Sequence, residues 1–296
     1  MLLEARGHAW SFPWPRPLVM GILNATPDSV SDLHRLATVE EQLRHGEELM
    51  RAGADIIDVG GESGRTDRPA TTPAEEARRV VAVIRGLGER GVAVSVDTWR
   101  VSVAAAAVEA GAAIINDVSG LADLDMARLA ARTGSGLVIM HTGAAPKQQH
   151  FPGYENPAEA VIDFLVDKAT AACELGVTRD QIVVDPGLDF AKRPEESLAI
   201  LRRLDEVVAL ERPVLLAVSR KYFVGMITGR LPHQRLGGTL AALGCGIDAG
   251  AQIVRVHDVA EIVAYLDVRA ALTSSGQPAF KGAGTDDALR WLPPDP

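Results

Sequence analysis

An α/β architecture, a single (β/α)8 barrel, is predicted by three features of the chain. Short apolar runs rich in Val and Ile alternate eight times with helical stretches between residues 18 and 272. The apolar runs are nearly continuous rather than alternating, as in parallel strands covered on both faces. Each run also ends in a residue that can hydrogen-bond or carry charge. Eight strand–helix crossovers in about 255 residues match the size of such a barrel. The competing architecture is a doubly wound open sheet, which wants a glycine-rich phosphate loop after its first strand. Gly21-Ile22-Leu23-Asn24 does not supply one.

The strands are expected at 18–23, 55–59, 92–96, 113–115, 137–140, 181–184, 214–218 and 252–256. The helices are expected at 38–52, 73–90, 101–110, 124–132, 157–175, 195–210, 236–248 and 259–272. Start and stop signals agree with these spans. Thr38 precedes Glu40 and Glu41, Thr72-Pro73 opens a helix, and Gly53, Gly91, Gly111 and Gly176 stand just past helix ends. The barrel, 18–272, is the one domain. Residues 1–17 are read as an N-terminal extension, and 273–296, with Gly276, Pro278 and the closing Pro293-Pro294-Asp295-Pro296, as a flexible C-terminal tail.

Composition narrows the function. A chain of 296 residues can bury roughly 75% of its unfolded surface. With only 6 Phe, 4 Trp and 3 Tyr, the core must be Ala, Val, Leu and Ile packed between regular elements, which favours α/β over a sandwich. Thirty Lys+Arg against 39 Asp+Glu leave a net charge of −9, which argues against a nucleic-acid-wrapping surface. No apolar run reaches the ~18 residues of a membrane span, and the first 14 residues lack the basic-then-apolar order of a signal peptide. Cys173 and Cys245 have no nearby Cys or His partner, so neither a zinc site nor a disulfide framework is expected. A cytoplasmic protein without nucleic-acid or membrane partners is the expectation.

In a barrel, the loops after the strands form the active-site face. There the chain places Asn24, Asp58 with Glu62, Asp97, Asn116-Asp117, His141, Asp185, Ser219-Arg220-Lys221, and Arg255 with His257. Asp97, Asn116 and Asp185 suit a flat, amine-bearing heterocycle. Arg65, Arg220, Lys221, Arg255 and His257 suit a phosphate or diphosphate. Asn24 is a hard oxygen donor of the kind Mg²⁺ accepts. Other residues carry plainer readings: Asp58 and Asp117 as buried carboxylates bonding loop amides, Glu62 as the brace of its own loop, His141 as a packed rim residue. Lys192 is expected to pair with Glu195 or Glu196 on the surface, Phe190 and Phe223 to be core, and 195–203 to be a solvated helix face.

Seven motifs then carry a resemblance. Leu23-Asn24-Ala25-Thr26-Pro27-Asp28-Ser29, Ile57-Asp58-Val59-Gly60-Gly61-Glu62-Ser63, Ser95-Val96-Asp97-Thr98, Ile115-Asn116-Asp117-Val118-Ser119-Gly120, Asp185-Pro186-Gly187, Ser219-Arg220-Lys221 and Arg255-Val256-His257-Asp258 resemble the dihydropteroate synthase family, in its order and spacing. The resemblance implies a pterin-binding barrel that joins p-aminobenzoate to 6-hydroxymethyl-7,8-dihydropterin diphosphate. The products would be 7,8-dihydropteroate and diphosphate, in folate biosynthesis. It also implies Mg²⁺ and a homodimer. On the matching positions Asp97, Asn116, Asp185 and Lys221 would hold the pterin, Asn24 would bind Mg²⁺, and Arg255 and His257 would receive the diphosphate. Asn24, Lys221, Arg255 and His257 are thus the expected catalytic residues. Ser219, Arg220, Gly64 and Arg65 complete the expected substrate contacts, with Ser219, Lys221 and the first two loops shaping the aminobenzoate pocket.

The chemistry agrees. Departure of diphosphate leaves a cation delocalised into the pterin ring, so cations aimed at the leaving group act most strongly in the transition state. An aniline amine is already neutral at pH 7, so no nucleophile–base pair is needed.

The chain also departs from the family. Its first loop has Val30 for a phenylalanine and Leu33-His34 for a glycine pair. In the second, Ser63-Gly64-Arg65-Thr66-Asp67 stands for Ser-Thr-Arg-Pro-Gly; after the sixth strand, Asp189-Phe190-Ala191-Lys192 stands for Gly-Phe-Gly-Lys and Glu196-Ser197 for His-Asn. These changes lie on the second-substrate side. They keep open a divergent or non-catalytic pterin-binding paralogue that uses another arylamine or none. A methyltetrahydrofolate–corrinoid methyltransferase would need no diphosphate site, and Asn24, Arg255 and His257 weigh against it.

Overall fold

Alternation along each strand sorts the side chains into two apolar layers, and this sorting positions everything else. The computed structural model describes residues 1–13, 16–26, 38–64, 66 and 68–273. Its strands are β1 Leu2–Ala5, β2 His8–Ser11, β3 Leu18–Asn24, β4 Ile56–Gly60, β5 Ala93–Asp97, β6 Ile114–Asp117, β7 Gly136–Met140, β8 Ile182–Asp185, β9 Leu215–Leu216 and β10 Ile253–Val256. Strands β3 to β10 form one parallel sheet in the order β8-β7-β6-β5-β4-β3-β10-β9. A bridge between Val184 and Val214 joins its two edges and closes a (β/α)8 barrel.

The helices are α1 Val39–Arg51, α2 Pro73–Gly88, α3 Val101–Glu109, α4 Asp125–Thr133, α5 Pro157–Glu174, α6 Pro194–Arg202, α7 Leu204–Val208, α8 Tyr222–Thr228, α9 Leu236–Asp248 and α10 Val259–Thr273. Caps fall where the sequence puts them. Thr38 forms a capping box with Glu41, the Thr72 hydroxyl accepts from the Glu75 N–H at 3.3 Å, and Gly53, Gly91, Gly111 and Gly176 all have positive φ.

Three elements differ from expectation. The single helix expected over 195–210 breaks at Arg203, whose guanidinium reaches Asn156 Oδ1 at 2.8 Å and Glu206. Helix α8 was not expected, because seven residues are too few for an apolar period to show. The strand expected over 214–218 pairs with β10 only at Leu215 and Leu216, beside the single bridge of Val214 to Val184. Residues 274–296, most of the expected tail, lie outside the described residues, as do the substituted first-loop positions Val30, Leu33 and His34.

Val19, Leu23, Ile57, Val59, Val94, Val96, Ile139, Val184 and Val254 face the helices and form the larger core. Leu18, Met20, Ile56, Ala93, Ile114, Val138, Val183, Leu215 and Ile253 face inward. This inner layer is closed below by residues expected only as an extension. Strands β1 and β2 pair as an antiparallel hairpin turned at Arg6 and Gly7, and its Leu3, Ala5 and Trp10, with Phe12, pack into the same cluster. The hairpin is hard to read from sequence because each strand has four residues, with two buried side chains in the first and one in the second.

Moving up the strands, the inward positions turn polar: Met20 to Asn24, Ile56 to Asp58, Ala93 to Ser95 and Asp97, Ile114 to Asn116, Val183 to Asp185, Ile253 to Arg255. Register then aligns them. Ile22, Asp58 and Ser95 share one level, and Asn24, Gly60, Asp97 and Asn116 the next. Among the described residues, no helix is long and apolar enough to cross a membrane.

If the hairpin is structural, Leu3→Ala, at a fully buried position, will lower unfolding stability by about 2–5 kcal/mol in urea melts. Wild-type stability in that variant would show the hairpin to be dispensable.

Candidate active site

At the centre of the barrel mouth Arg255, on β10, is clamped between two carboxylates. Its Nε donates to Asp58 Oδ2 at 2.6 Å and its Nη2 to Asp97 Oδ2 at 2.7 Å. Asn116 Nδ2 donates to the same Asp58 oxygen at 3.1 Å. Burial raises Asp97 to about 7; Arg255 pulls it down and Asp58 pushes it up. Burial alone would lower the Arg255 pKa, but Asp58 and Asp97 raise it. The signs that the sequence separates are therefore interleaved: the cation expected to face the diphosphate is also the counter-ion of the acids under the heterocycle.

Around this clamp, polar atoms are left unspent. Asp58 Oδ1, Ser95 Oγ and Asn116 Oδ1 are buried with no hydrogen-bond partner, the state expected of groups that await a ligand or water. Asp58 therefore belongs to the site rather than to loop amides. Ser95 escaped the sequence reading, although it lies two residues before Asp97 and so on the same strand face.

Asp185 ends β8 in a turn braced from within. Its Oδ1 accepts the Gly187 N–H at 2.7 Å, and burial raises its pKa. Gly187 has φ 63, and a Cβ there would collide with the His141 carbonyl, so the turn requires glycine. Lys192 is not the expected surface ion pair. It is 2% exposed, and its Nζ donates to the carbonyls of His141, Gly187 and Phe190 at 3.2, 2.8 and 3.1 Å. Burial lowers its pKa to about 7, with Asp185 opposing. Nor is 195–203 simply a solvated face, because Glu196 and Ser197 are buried and Glu196 accepts the backbone N–H of Arg193 and of Tyr154.

The loop after β9 brings Ser219, Arg220 and Lys221. Ser219 Oγ lies 3.0 Å from His257 Nδ1 and accepts the His257 N–H at 3.2 Å. Lys221 Nζ sits 4.2 Å over the Phe190 ring, so Phe190 is a wall residue, while Phe223 is core as expected. Burial lowers the Lys221 pKa, and Asp189, Asp185 and Asp97 oppose. Arg220, expected among the anion-binding cations, pairs with Asp258, Nε–Oδ2 3.1 Å and Nη2–Oδ1 2.5 Å. Arg235 donates to the carbonyls of Arg220 and Lys221 at 2.8 and 3.2 Å and holds the loop in shape.

Asn24, Gly64, Asp97, Ser219, Arg220, Lys221, Arg255 and His257 line one cavity of about 460 Å³, together with Phe190, Tyr222 and Arg235. Asn116 and Asp185 are buried, Asn116 bonded to Asp58 beneath the clamp and Asp185 within electrostatic reach of Lys221 and Arg255. Arg65 lies outside the described residues. Glu62 braces its loop as expected, accepting from Thr71 N at 3.0 Å and from Arg100. Asp117 likewise bonds the amides of Ser119 and Leu121. His141 is 3% exposed and packed edge-on against Tyr154 and Phe164.

Comparison with known proteins agrees with this geometry. Residues 20–257 match the family model described as pterin binding enzyme. Dihydropteroate synthase of Bacillus subtilis is 40% identical over 263 residues, 88% of this chain and 90% of that protein. The probable bifunctional folylpolyglutamate synthase/dihydropteroate synthase of Haloferax volcanii is 41% identical, and the chain spans 31% of its length. Among solved structures, dihydropteroate synthase from Thermus thermophilus in complex with 4-aminobenzoate superposes with a TM-score of 0.82 at 39% identity, covering 92% of this chain and all of that one. The Xanthomonas albilineans enzyme in complex with 7,8-dihydropteroate gives 0.83 at 37% identity, covering 93% of this chain and 100% of that one. Fold and site together define a barrel enzyme of the pterin-binding class. Within that class, the chain belongs to the dihydropteroate synthase family.

The buried His141 makes stability depend on pH. Burial lowers its pKa from the usual 6.5 to about 3, with Lys192 acting in the same direction. Unfolding then takes up a proton between those values, so its contribution is complete above about pH 6.5 and is lost as pH falls toward 3. The loss is at most about 1.4 kcal/mol per pH unit. His141→Phe, with the same packing partners, should reduce the slope of stability against pH by one proton, read from urea midpoints across that range. An unchanged slope would mean that the imidazole is not held neutral.

Proposed function

We propose that this chain condenses 6-hydroxymethyl-7,8-dihydropterin diphosphate with p-aminobenzoate to give 7,8-dihydropteroate and diphosphate, through the residues gathered at the barrel mouth. The observation that carries the assignment is the buried polar floor. Asp97, Asn116, Asp185 and Lys221 stand around Arg255 while Asn116 Oδ1, Asp58 Oδ1 and Ser95 Oγ remain unpaired. A pterin edge carrying adjacent N–H donors and ring acceptors supplies the partners these atoms lack. Carboxylates and a planar amide recognise it by paired hydrogen bonds.

Arg255 works in two directions. Asp58 and Asp97 fix its plane through Nε and Nη2, which leaves Nη1 to meet the diphosphate. His257, held by Ser219, stands beside it on the cavity wall. As the methylene–oxygen bond lengthens, negative charge grows on the diphosphate. Groups already oriented for that charge lower the barrier without reorganising. The arylamine attacks the methylene with its lone pair and needs no general base before the bond forms.

Asn24 is the proposed Mg²⁺ ligand. Among the described residues, no group of three or more His, Cys, Asp or Glu could hold a metal. An ion beside Asn24 would therefore take most of its ligands from substrate oxygens and water, which is the habit of Mg²⁺. When bound it adds positive charge at the leaving group. Ser219, Gly64 and Arg65 are proposed contacts of the arylamine side. A cytoplasmic homodimer is also proposed; the exposed Met226 and Ile227 of α8 offer apolar surface for the pairing.

Relatives at about 40% identity that are dihydropteroate synthases speak against the methyltransferase alternative. Incubation with the pterin diphosphate, Mg²⁺ and p-aminobenzoate should release diphosphate and dihydropteroate in equal amounts. Diphosphate without pteroate, or neither product, would refute the reading. Arg255→Ala should slow diphosphate release by about 10²–10³, and Arg255→Lys should not restore it, because one ammonium cannot bridge both carboxylates. Asn116→Ala should raise the pterin KM by about tenfold or more, with a smaller change in kcat at saturation.

A further inference from the structure

The loop between β4 and α2 reaches the cavity with Glu62, Ser63 and Gly64. Its main anchor, Arg100 between β5 and α3, is not among the residues that line that cavity. Arg100 Nη1 donates to Glu62 Oε2 at 2.5 Å and to Glu76 of α2, and its Nη2 donates to the Thr71 carbonyl at 2.9 Å. Glu62 Oε1 in turn accepts the Thr71 N–H at 3.0 Å. One guanidinium thus ties the start of the loop to its end. Lys147, from the loop after β7, adds to the hold: its Nζ donates to the Ser63 carbonyl at 2.6 Å and stands 3.4 Å from Glu62 Oε1.

These groups are buried and fixed in place. The Glu62 and Glu76 side chains are 2% and 0% exposed, and that of Arg100 15%. Glu76 also accepts from the Thr98 hydroxyl at 2.6 Å, and the Arg100 guanidinium lies 4.4 Å over the Trp99 ring. A buried ion cluster is often no more stable than aliphatic packing of the same volume. What it adds here is a set geometry for the loop. The loop needs one, because Gly64 stands for the family's threonine and Thr66 for its proline, and both exchanges free the backbone. The pterin floor has separate supports: Arg255 holds Asp97, and Asp58 holds Asn116.

We propose that Arg100 is a positioning residue for the second substrate. By pinning Glu62 and Thr71 it holds Ser63 and Gly64 against the arylamine side of the cavity, and it reaches the substrate only through that loop. The inference rests on the transfer reaction proposed above and adds a residue on which capture of p-aminobenzoate depends, while the hold on the pterin does not.

The test is steady-state kinetics with each substrate varied at saturation of the other, for wild type, Arg100→Met and Glu62→Gln. Methionine keeps the length of the side chain but removes the fork. Glutamine keeps an acceptor for the Thr71 N–H while removing the charge that Arg100 grips, so it carries the comparison if Arg100→Met fails to fold. The p-aminobenzoate KM should rise about tenfold or more in Arg100→Met and in the same direction in Glu62→Gln, the scale expected when a positioned group shifts. The pterin diphosphate KM should stay within about twofold and kcat within about threefold, the split that marks lost binding of one substrate rather than lost chemistry. A p-aminobenzoate KM within about twofold of wild type in the folded variants, or equal rises for both substrates, would overturn the proposal and leave the cluster to stability alone. No dihydropteroate from wild type would instead refute the transfer reaction, and this inference with it.

Discussion

The pairing of one guanidinium with two carboxylates inside the barrel mouth is the constraint on which the rest of the structure depends. Arg255, Asp58 and Asp97 come from three neighbouring strands, β10, β4 and β5, separated in the chain but brought together by the closed sheet. Moving such ions out of water costs several kcal/mol each, recovered only with close geometry and satisfied hydrogen bonds. A protein selected for stability alone would fill this level with aliphatic side chains, as it does one level lower. The unpartnered Asp58, Ser95 and Asn116 atoms show why it does not. The floor has hydrogen-bonding capacity left for a ligand or water.

That polar floor is tolerable because the two apolar layers around it are complete. The inner layer is sealed from below by Leu3, Trp10 and Phe12, and the outer layer is packed against the helices. The site thus opens at one end only, where the loops lie. The loops in turn are held by cations that face inward to backbone carbonyls. Lys192 binds three in the loop after β8, Arg235 binds three around the loop after β9, and Lys147 takes the Ser63 carbonyl at 2.6 Å. These differ from the surface pairs Arg78–Glu75 and Arg203–Glu206, which water screens to about 1 kcal/mol or less. A buried ammonium that satisfies several carbonyls fixes loop shape, and hence the positions of Asp185 and Lys221.

Much of this was readable beforehand. The eight barrel strands, nearly all the helices, the Thr38 and Thr72 caps and the convergence of Asn24, Asp97, Lys221, Arg255 and His257 on one rim follow from local pattern. Strand alternation, capping chemistry and motif spacing are properties of neighbouring residues, so they survive in one dimension. The bonding of Asp117 to its own loop was legible for the same reason, since its partners lie in the same motif; Glu62 accepts from Thr71, nine residues on, but also from the distant Arg100. Ser95 lay within reach of the same reading, two positions from Asp97, but a serine in an apolar run carries no signal without a partner in view.

What local pattern could not decide is which charge meets which. Lys192 reads as a surface partner of Glu195 or Glu196, and Arg220 as a phosphate ligand, because sequence neighbours are the partners that can be seen. The fold instead buries Lys192 under three carbonyls and turns Arg220 to Asp258. Arg255 and Asp58 are 197 residues apart, as the hydrogen bond between them spans. Their pairing exists only because parallel strands of opposite chain ends become neighbours when the barrel closes. Residue order was therefore enough for the fold and the family. Closure alone decided their partners, since electrostatic partnership depends on distance and burial, and both are set by which strands lie side by side.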